Sequence, residues 1–315
     1  MAKLNRLYQF FKEYGFRCFF SKLLSEMLPY KDKKSKVRNI ILHHQFTVYL
    51  QYLSRYFNSV DHESEIRANT ESEYKEHIWT AWLQGEDNAP DIIRMNLASI
   101  KRHANGHPVV VITDQNVDDY LDVPHTIRTK YKTGIIRPAH YTDIIRMMLL
   151  EKYGGLWLDA SVFLYHPVDE TAFLSSFYSV GFQSRNSKYV SGYKWLVAVL
   201  GGTANSIYLS TISKMLSSYW TEHSIPIDYF VFDYLIAVLY QNNDSFRSIV
   251  DQLPRMPFFT NAIKKIINEP YSQKELDTVL LDNQIYCLSY RDQYQEYTQE
   301  GQLTNFGYLY NNILK

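Results

Sequence analysis

Apolar positions open the chain at three- and four-residue intervals, with Leu4, Leu7, Tyr8, Phe11, Tyr14, Phe16, Phe19, Phe20, Leu23 and Leu24 set among basic residues. That period predicts an amphipathic helix over about the first thirty residues. Such a helix suits either a membrane surface or the protein's own core with the basic side in water, because amphipathicity is common to both. Residues 31–36 read as a polar hinge, 39–57 as a second helix, and 61–75, charged and without apolar period, as a linker. The run His77-Ile78-Trp79-Thr80-Ala81-Trp82 is strand-like and ends at Gln84-Gly85, after which Pro90 opens a helix that Asn105-Gly106 stops beyond His103. Val109-Val110-Val111-Ile112 is continuous and β-branched, the composition of a buried parallel strand. Strand, helix and strand in about forty residues is the length of a crossover unit, and it predicts an α/β fold.

Charge alters this picture only at the N-terminus. The whole chain balances 33 basic against 33 acidic residues, which gives no sign of a nucleic-acid partner. Between Met1 and Asn39, however, ten bases (Lys3, Arg6, Lys12, Arg17, Lys22, Lys31, Lys33, Lys34, Lys36, Arg38) face three acids (Glu13, Glu26, Asp32), an excess of seven. Charged residues interrupt any signal-peptide run there, and no stretch approaches the roughly 20 apolar residues that span a bilayer. Cys18 and Cys287 are too far apart in sequence and context to suggest a disulfide framework or a thiolate zinc site. These features predict a cytoplasmic protein, with peripheral contact to an anionic membrane open to the basic N-terminal region. His103 and His107 are separated by a helix stop and do not form a metal pair. The 27 tyrosines suit sugar platforms but equally suit cores and rims.

Chemistry concentrates in residues 137–167, RPAHYTDIIRMMLLEKYGGLWLDASVFLYHP. Pro138 fits the first turn of a helix, apolar residues 144–150 continue it, Gly154-Gly155 ends it, and residues 156–163 read as a strand. Asp143 and Arg146, three apart, share a helix face; Asp159 and Ser161, two apart, share a strand face. Carboxylate, guanidinium, carboxylate and hydroxyl can then converge where strand and helix ends meet, the edge at which open α/β sheets bind ligands. Taken singly, Asp143–Arg146 reads as a surface ion pair, Asp159 as a loop-capping carboxylate, Asp228 as a helix cap, Asp114 as a turn residue and Trp82 as core. Phosphate-cradling, dinucleotide-binding, zinc-protease and nucleophile-elbow motifs are absent from the sequence.

The order Asp-x-x-Arg on a helix, Gly-Gly, then a strand ending in an Asp-x-Asp-like motif resembles the retaining glycosyltransferases of the GT-A fold, especially the capsular polysaccharide synthesis family. The likeness extends over most of residues 75–290 and includes Ile78-Trp79-Thr80-Ala81-Trp82-Leu83-Gln84-Gly85 with Ala89-Pro90, Ile112-Thr113-Asp114-Gln115-Asn116, Ile227-Asp228-Tyr229-Phe230 and Cys287-Leu288-Ser289-Tyr290-Arg291. It implies a helical extension and linker over 1–75, a GT-A-type nucleotide-sugar-binding domain over 76–290 and a tail over 291–315. By this resemblance Asp159 binds the donor's ribose or sugar and, with Ser161, helps hold Mg²⁺ or Mn²⁺, while Asp143 and Arg146 grip the transferred sugar. Trp82, Gln84, Gly85, Asp114 and Gly155 would contact the nucleotide, expected to be a UDP-sugar. Asp228 would reach the sugar or acceptor from the opposite wall, with Asp233 a lesser candidate. The departure is Ser161, where the family's second Asp is replaced by a hydroxyl that brings no charge to a metal. The implied reaction is transfer, with retention, to a growing or lipid-linked surface polysaccharide. A nucleotide-sugar-binding scaffold without turnover, a membrane-surface adaptor and a toxin-type protein glycosyltransferase are the competing expectations.

Overall fold

The computed structural model describes residues 2–27, 36–60, 74–183, 190–257, 262–281 and 285–314. The hinge expected at 31–36 and the linker expected at 61–75 fall outside them, save residue 36 and residues 74–75. In chain order, α1 (Ala2–Glu26) and α2 (Lys36–Ser59) precede β1 (Ile78–Ala81), α3 (Asp91–Arg102) and β2 (Val109–Ile112). Next come α4 (Val117–Tyr120), α5 (His125–Lys132), α6 (Pro138–Tyr153), β3 (Gly154–Leu158), β4 (Val162–Leu164) and α7 (Thr171–Leu174). The remainder comprises β5 (Gly181–Phe182), β6 (Val199–Thr203), α8 (Ile207–Glu222), α9 (Val231–Asn242), α10 (Asp244–Asp251), β7 (Arg255–Met256), α11 (Gln273–Leu280), β8 (Ile285–Cys287) and α12 (Asn305–Leu314).

A four-stranded sheet of order β2-β1-β3-β6 forms the centre. β1 runs parallel to both β2 and β3, and β6 closes the far edge antiparallel to β3. This is the α/β class that the strand–helix–strand pattern predicts. β1 and β3 are buried along their whole length, whereas the three valines of β2 are half-buried. The expectation of a fully buried β2 is thus corrected: the strand lies at the sheet edge, where one side lacks a neighbour.

A second correction concerns residues 156–163, which do not form one strand. β3 ends at Leu158, the chain turns through Asp159-Ala160-Ser161, and β4 then pairs with β8 in a separate two-stranded sheet. The turn is closed by Val162 N–H to the Asp159 carbonyl at 2.7 Å, and Leu288 N–H donates to the Ser161 carbonyl at 2.8 Å. From α3, the buried Asn96 amide donates to the carbonyls of Ala160 (3.1 Å) and Leu288 (3.0 Å). Asp159 N–H still donates to the Ala198 carbonyl beside β6 at 2.9 Å, and beyond it the carbonyls of Ala160 and Ser161 are taken by Asn96 and Leu288, so the β3 ladder goes no further. Asp159 and Ser161 are brought together by a turn and not by strand alternation.

α6 passes into β3 without a connecting loop. Gly154, at φ 71°, caps the helix, and Gly155, at φ 95°, begins the strand against β1. A β-carbon at Gly155 would lie 2.3 Å from the His77 carbonyl oxygen, so both the backbone conformation and the space demand glycine.

Helices cover the sheet on both sides. α6, α8 and α9 pack together with α2 in the largest core, while α3 and α12 pack on each other beside β4 and β8. α1 takes part in the first of these cores: Phe10, Tyr14 and Cys18 are buried in it. The Tyr14 hydroxyl lies 2.6 Å from that of Tyr219 and also donates to the Ile225 carbonyl, and burial raises its pKa. Glu13 accepts from His223 Nδ1 at 3.2 Å and from the Ser224 N–H at 3.1 Å. The residues after 290 fold back as α12, which buries Phe306 and Leu309.

Gly155→Ala is expected to destabilise the protein by about 2–4 kcal/mol, from backbone strain and overpacking together. Urea denaturation reads this as a lower midpoint; an unchanged midpoint would show that the β3–β1 approach has slack.

Candidate active site

Because α6 runs directly into β3, it doubles back along the strand, and its first half lies near the end where β3 stops. This places Asp143 and Arg146 beside Asp159. The Arg146 side chain is 3% exposed, and its Nη2 lies 2.7 Å from Asp159 Oδ1 and 3.2 Å from Asp143 Oδ1. Nη1 donates to the Val197 carbonyl. The guanidinium stands 5.0 Å from the Trp157 ring centre and 5.3 Å from that of Phe232 on α9. Planar charge between aromatic faces, with one Nη on a carboxylate and the other on a carbonyl, is what distinguishes Arg from Lys here. Arg146 therefore lies beneath the carboxylates and orients them; its Nη atoms are occupied by protein.

Trp157 Nε1 also donates to Asp159 Oδ1, at 2.7 Å. Both strong donors fall on one oxygen, and among the described residues none donates to Oδ2. Asp159 keeps about a third of its side chain exposed (31%), so the free oxygen belongs to a recess and not a sealed core. Burial in that recess pushes the carboxyl above its ordinary range, against the pull of Arg146 and the Trp157 hydrogen bond, with Asp143 adding to the rise.

Trp82, Gln84, Gly85 and Asp114 gather at the ends of β1 and β2. Gly85, at φ 88°, closes a turn onto the Trp82 carbonyl, and Asp114 N–H donates to the Leu83 carbonyl at 3.0 Å. The Trp82 indole nitrogen is buried without a partner, and its ring meets Tyr290 edge-to-face at 5.6 Å. The Asp114 carboxylate accepts from the Tyr131 hydroxyl at 3.1 Å, and Tyr131 stacks on Tyr141 of α6 at 3.9 Å. Gly155 is not brought here. It lies at the opposite end of β3, where its lack of a side chain admits the His77 backbone.

Residues 228–233 approach α6 through Phe232, over which Arg146 stands, and Tyr229, which meets His140. Asp228 Oδ1 accepts the Phe230 N–H at 2.9 Å, so one of its oxygens shapes the turn that starts α9. Asp233, in the first turn of α9, accepts from Trp195 Nε1 at 3.0 Å. Burial raises its carboxyl from 3.8 to about 7, with Asp143 adding to the rise and Arg146 opposing it; Asp228 contributes less than either. His140, buried one helical turn before Asp143 and 3.7 Å from its carboxylate, packs against Trp220 and the exposed Tyr229. Spacing on α6 could have flagged His140; nothing near Trp157 or Trp195 in sequence marks them as donors to acids.

Asp159 and Ser161 are neighbours on the turn, but no cluster of three or more His, Cys, Asp or Glu side chains suited to a metal exists among the described residues. One carboxylate and one hydroxyl fit a cation only if phosphate oxygens and water complete its shell, which is how Mg²⁺ is commonly held.

The family model described as capsular polysaccharide synthesis protein matches residues 30–306. The chain belongs to this family. The match takes in α2 through the start of α12. O-glycosyltransferase braB from Annulohypoxylon truncatum is 28% identical over 103 residues, 30% of this chain and 24% of the relative. Glycosyltransferase afumC from Aspergillus fumigatus is 28% identical over 104 residues, 30% of this chain and 26% of the relative. These matches span only about a quarter of each relative's length. Among solved structures, PaToxG Glycosyltransferase overlaps 65% of this chain and 82% of that one, at 13% identity and a TM-score of 0.41, too distant a likeness to argue from.

In this capsular polysaccharide synthesis family member, Arg146→Met strands two carboxylates around an uncharged side chain and is expected to lower stability by about 3 kcal/mol. Thermal and chemical denaturation check it, and a loss below that of an ordinary surface substitution would refute the buried clamp. Asp233 gives a pH signature. Its folded pKa is raised, so the associated stability is fully present below pH 3.8 and is lost as pH rises through about 7. Relative to the parent, Asp233→Asn should therefore gain stability between those values and level off above; parallel pH curves would contradict the assignment.

Proposed function

We propose that the chain is a glycosyltransferase that moves a hexose from a nucleotide-sugar, most simply a UDP-sugar, to a growing or lipid-linked surface polysaccharide with retention of anomeric configuration. The observation that carries this reading is the doubly anchored Asp159, held through one oxygen by Arg146 and Trp157 and open at the other. A fixed carboxylate of this kind accepts hydrogen bonds from ribose or sugar hydroxyls without reorganising, the condition for electrostatic preorganisation. Family membership and the names of the curated relatives support the same class of reaction.

Roles follow from position. Asp143, 17% exposed and restrained by Arg146, receives hydroxyls of the transferred sugar. Trp82, Gln84, Gly85 and Asp114 form the nucleotide side, with the half-exposed Tyr290 completing an aromatic edge over Trp82. Asp228 and Asp233 supply acidic groups on the facing wall, where Tyr229 offers an exposed ring to the incoming acceptor. The bond from the sugar to the diphosphate breaks as the acceptor hydroxyl bonds to the same face, and the hydroxyl proton leaves on the departing phosphate. Asp159 and Ser161 would hold Mg²⁺ or Mn²⁺ together with the diphosphate, and the cation would stabilise the leaving group's charge. A lipid-linked acceptor places the enzyme at the cytoplasmic face of an anionic membrane.

Release of nucleoside diphosphate from a panel of nucleotide-sugars, with Mg²⁺, Mn²⁺ or chelator, tests the reading. One donor should be hydrolysed slowly, chelator should suppress the reaction, and Asp159→Asn should reduce it by about 10²–10³-fold with the fold retained. Full activity of Asp159→Asn would sink the site. Binding of a donor without turnover, in the presence of acceptor glycan, would favour a scaffold.

A further inference from the structure

α1 carries two apolar faces, and among the described residues one of them packs on the core while the other is largely exposed. Gly15, at φ 74°, kinks the helix. Beyond the kink, Cys18 and Ser21 face α2, while Phe16, Phe20, Leu23 and Met27 recur at helical spacing on the opposite side. Phe16 is 67% exposed, Phe20 48% and Met27 79%, and the two phenylalanine rings stack on each other at 5.8 Å. In the first turns of α2, Val37 is 60% and Ile40 68% exposed.

The two helices form an arm. Gln45 donates to Ser25 at 2.9 Å and Arg17 to Gln51 at 3.0 Å, binding one to the other. α2 meets the body from Phe46 onward: the Phe46 ring lies 5.6 Å from that of Tyr234, and Val48, Tyr49, Leu50, Leu53 and Tyr56 are buried. Exposed apolar side chains gathered on one helix face mark an interaction site.

Charge selects the partner. The described side chains of residues 5–27 and 36–47 include six bases (Arg6, Lys12, Arg17, Lys22, Lys36, Arg38) and two acids, of which Glu13 points inward to His223 and Glu26 is paired with Lys22. Aromatic and aliphatic side chains bordered by bases match an anionic lipid interface, with rings at headgroup depth and cations among phosphates. No described helix is long and apolar enough to cross a membrane, so the arm lies on the surface and does not span it.

We infer that the outer face of the α1–α2 arm, centred on Phe16, Phe20, Met27, Val37 and Ile40, docks the protein on anionic membrane. This deepens the lipid-linked acceptor reading and rests on it for its purpose, but not for its test. Full-length protein is sedimented with vesicles of phosphatidylcholine alone or of an equimolar mixture with phosphatidylglycerol, beside the Phe16→Ser/Phe20→Ser variant. The parent should pellet with the mixed vesicles, at least about tenfold more strongly than with phosphatidylcholine, and the variant should lose that binding to a similar degree. Soluble-donor hydrolysis by the variant should stay at the parent level, since neither ring is near Asp159. Absence of parent binding, or binding unchanged by the double substitution, overturns the inference. So does a parent that is a larger oligomer than the variant in the absence of lipid, because a second copy would then cover the patch. Vesicle binding without any donor hydrolysis would keep the docking surface and remove the enzymatic reading instead.

Discussion

A guanidinium shut inside the protein between two carboxylates governs the arrangement around it. Arg146 cannot leave its charge unanswered at 3% exposure, so Asp143, Asp159 and the Val197 carbonyl must all converge on it. That requirement draws the turn at Asp159, which Asn96 and Leu288 also bind, onto α6. It also explains the flat aromatic surroundings: Trp157 and Phe232 accept the face of the cation while its edge serves the acids. The recess at Asp159 is thus the visible end of a buried electrostatic assembly, and its geometry is inherited from packing.

The N-terminal extension belongs to the same assembly at one remove. Glu13 and Tyr14 hold residues 223–225, the segment that leads into Asp228 and the start of α9. Tyr56 adds hydrogen bonds to His223 Nε2 and Glu222, both at 2.8 Å. The wall bearing Asp233 and Phe232 therefore has its entry fixed by residues more than two hundred positions earlier. Core and appendage are not separable quantities in this chain.

Sequence made the α/β class legible through β-branched and 3.6-residue patterns, and it brought forward Asp143, Arg146 and Asp159 because helical and Gly-Gly spacing is local. What it hid was tertiary. Residues 156–163 contain no Pro or Gly, so nothing local announces that the chain quits the sheet at Asp159; the cause is Asn96, sixty residues away. Edge and centre strands share a composition when a neighbour's absence is the only difference, as at β2. The burial of Arg146 and the indole donors of Trp157 and Trp195 arise from how the elements pack. For α1, the period was plain, but periodicity does not say how many faces are covered, and the helix proves to have one against the core and one without cover among the described residues.

The direct passage of α6 into β3 turns that stretch into a ruler. Thirteen positions separate Arg146 from Asp159, and no loop lies between them to absorb a change in number. Adding or removing one residue in the helix would swing Arg146 by about 100° around its axis and carry it out of reach of both acids. The interval itself, and not only the residues at its ends, is part of the site.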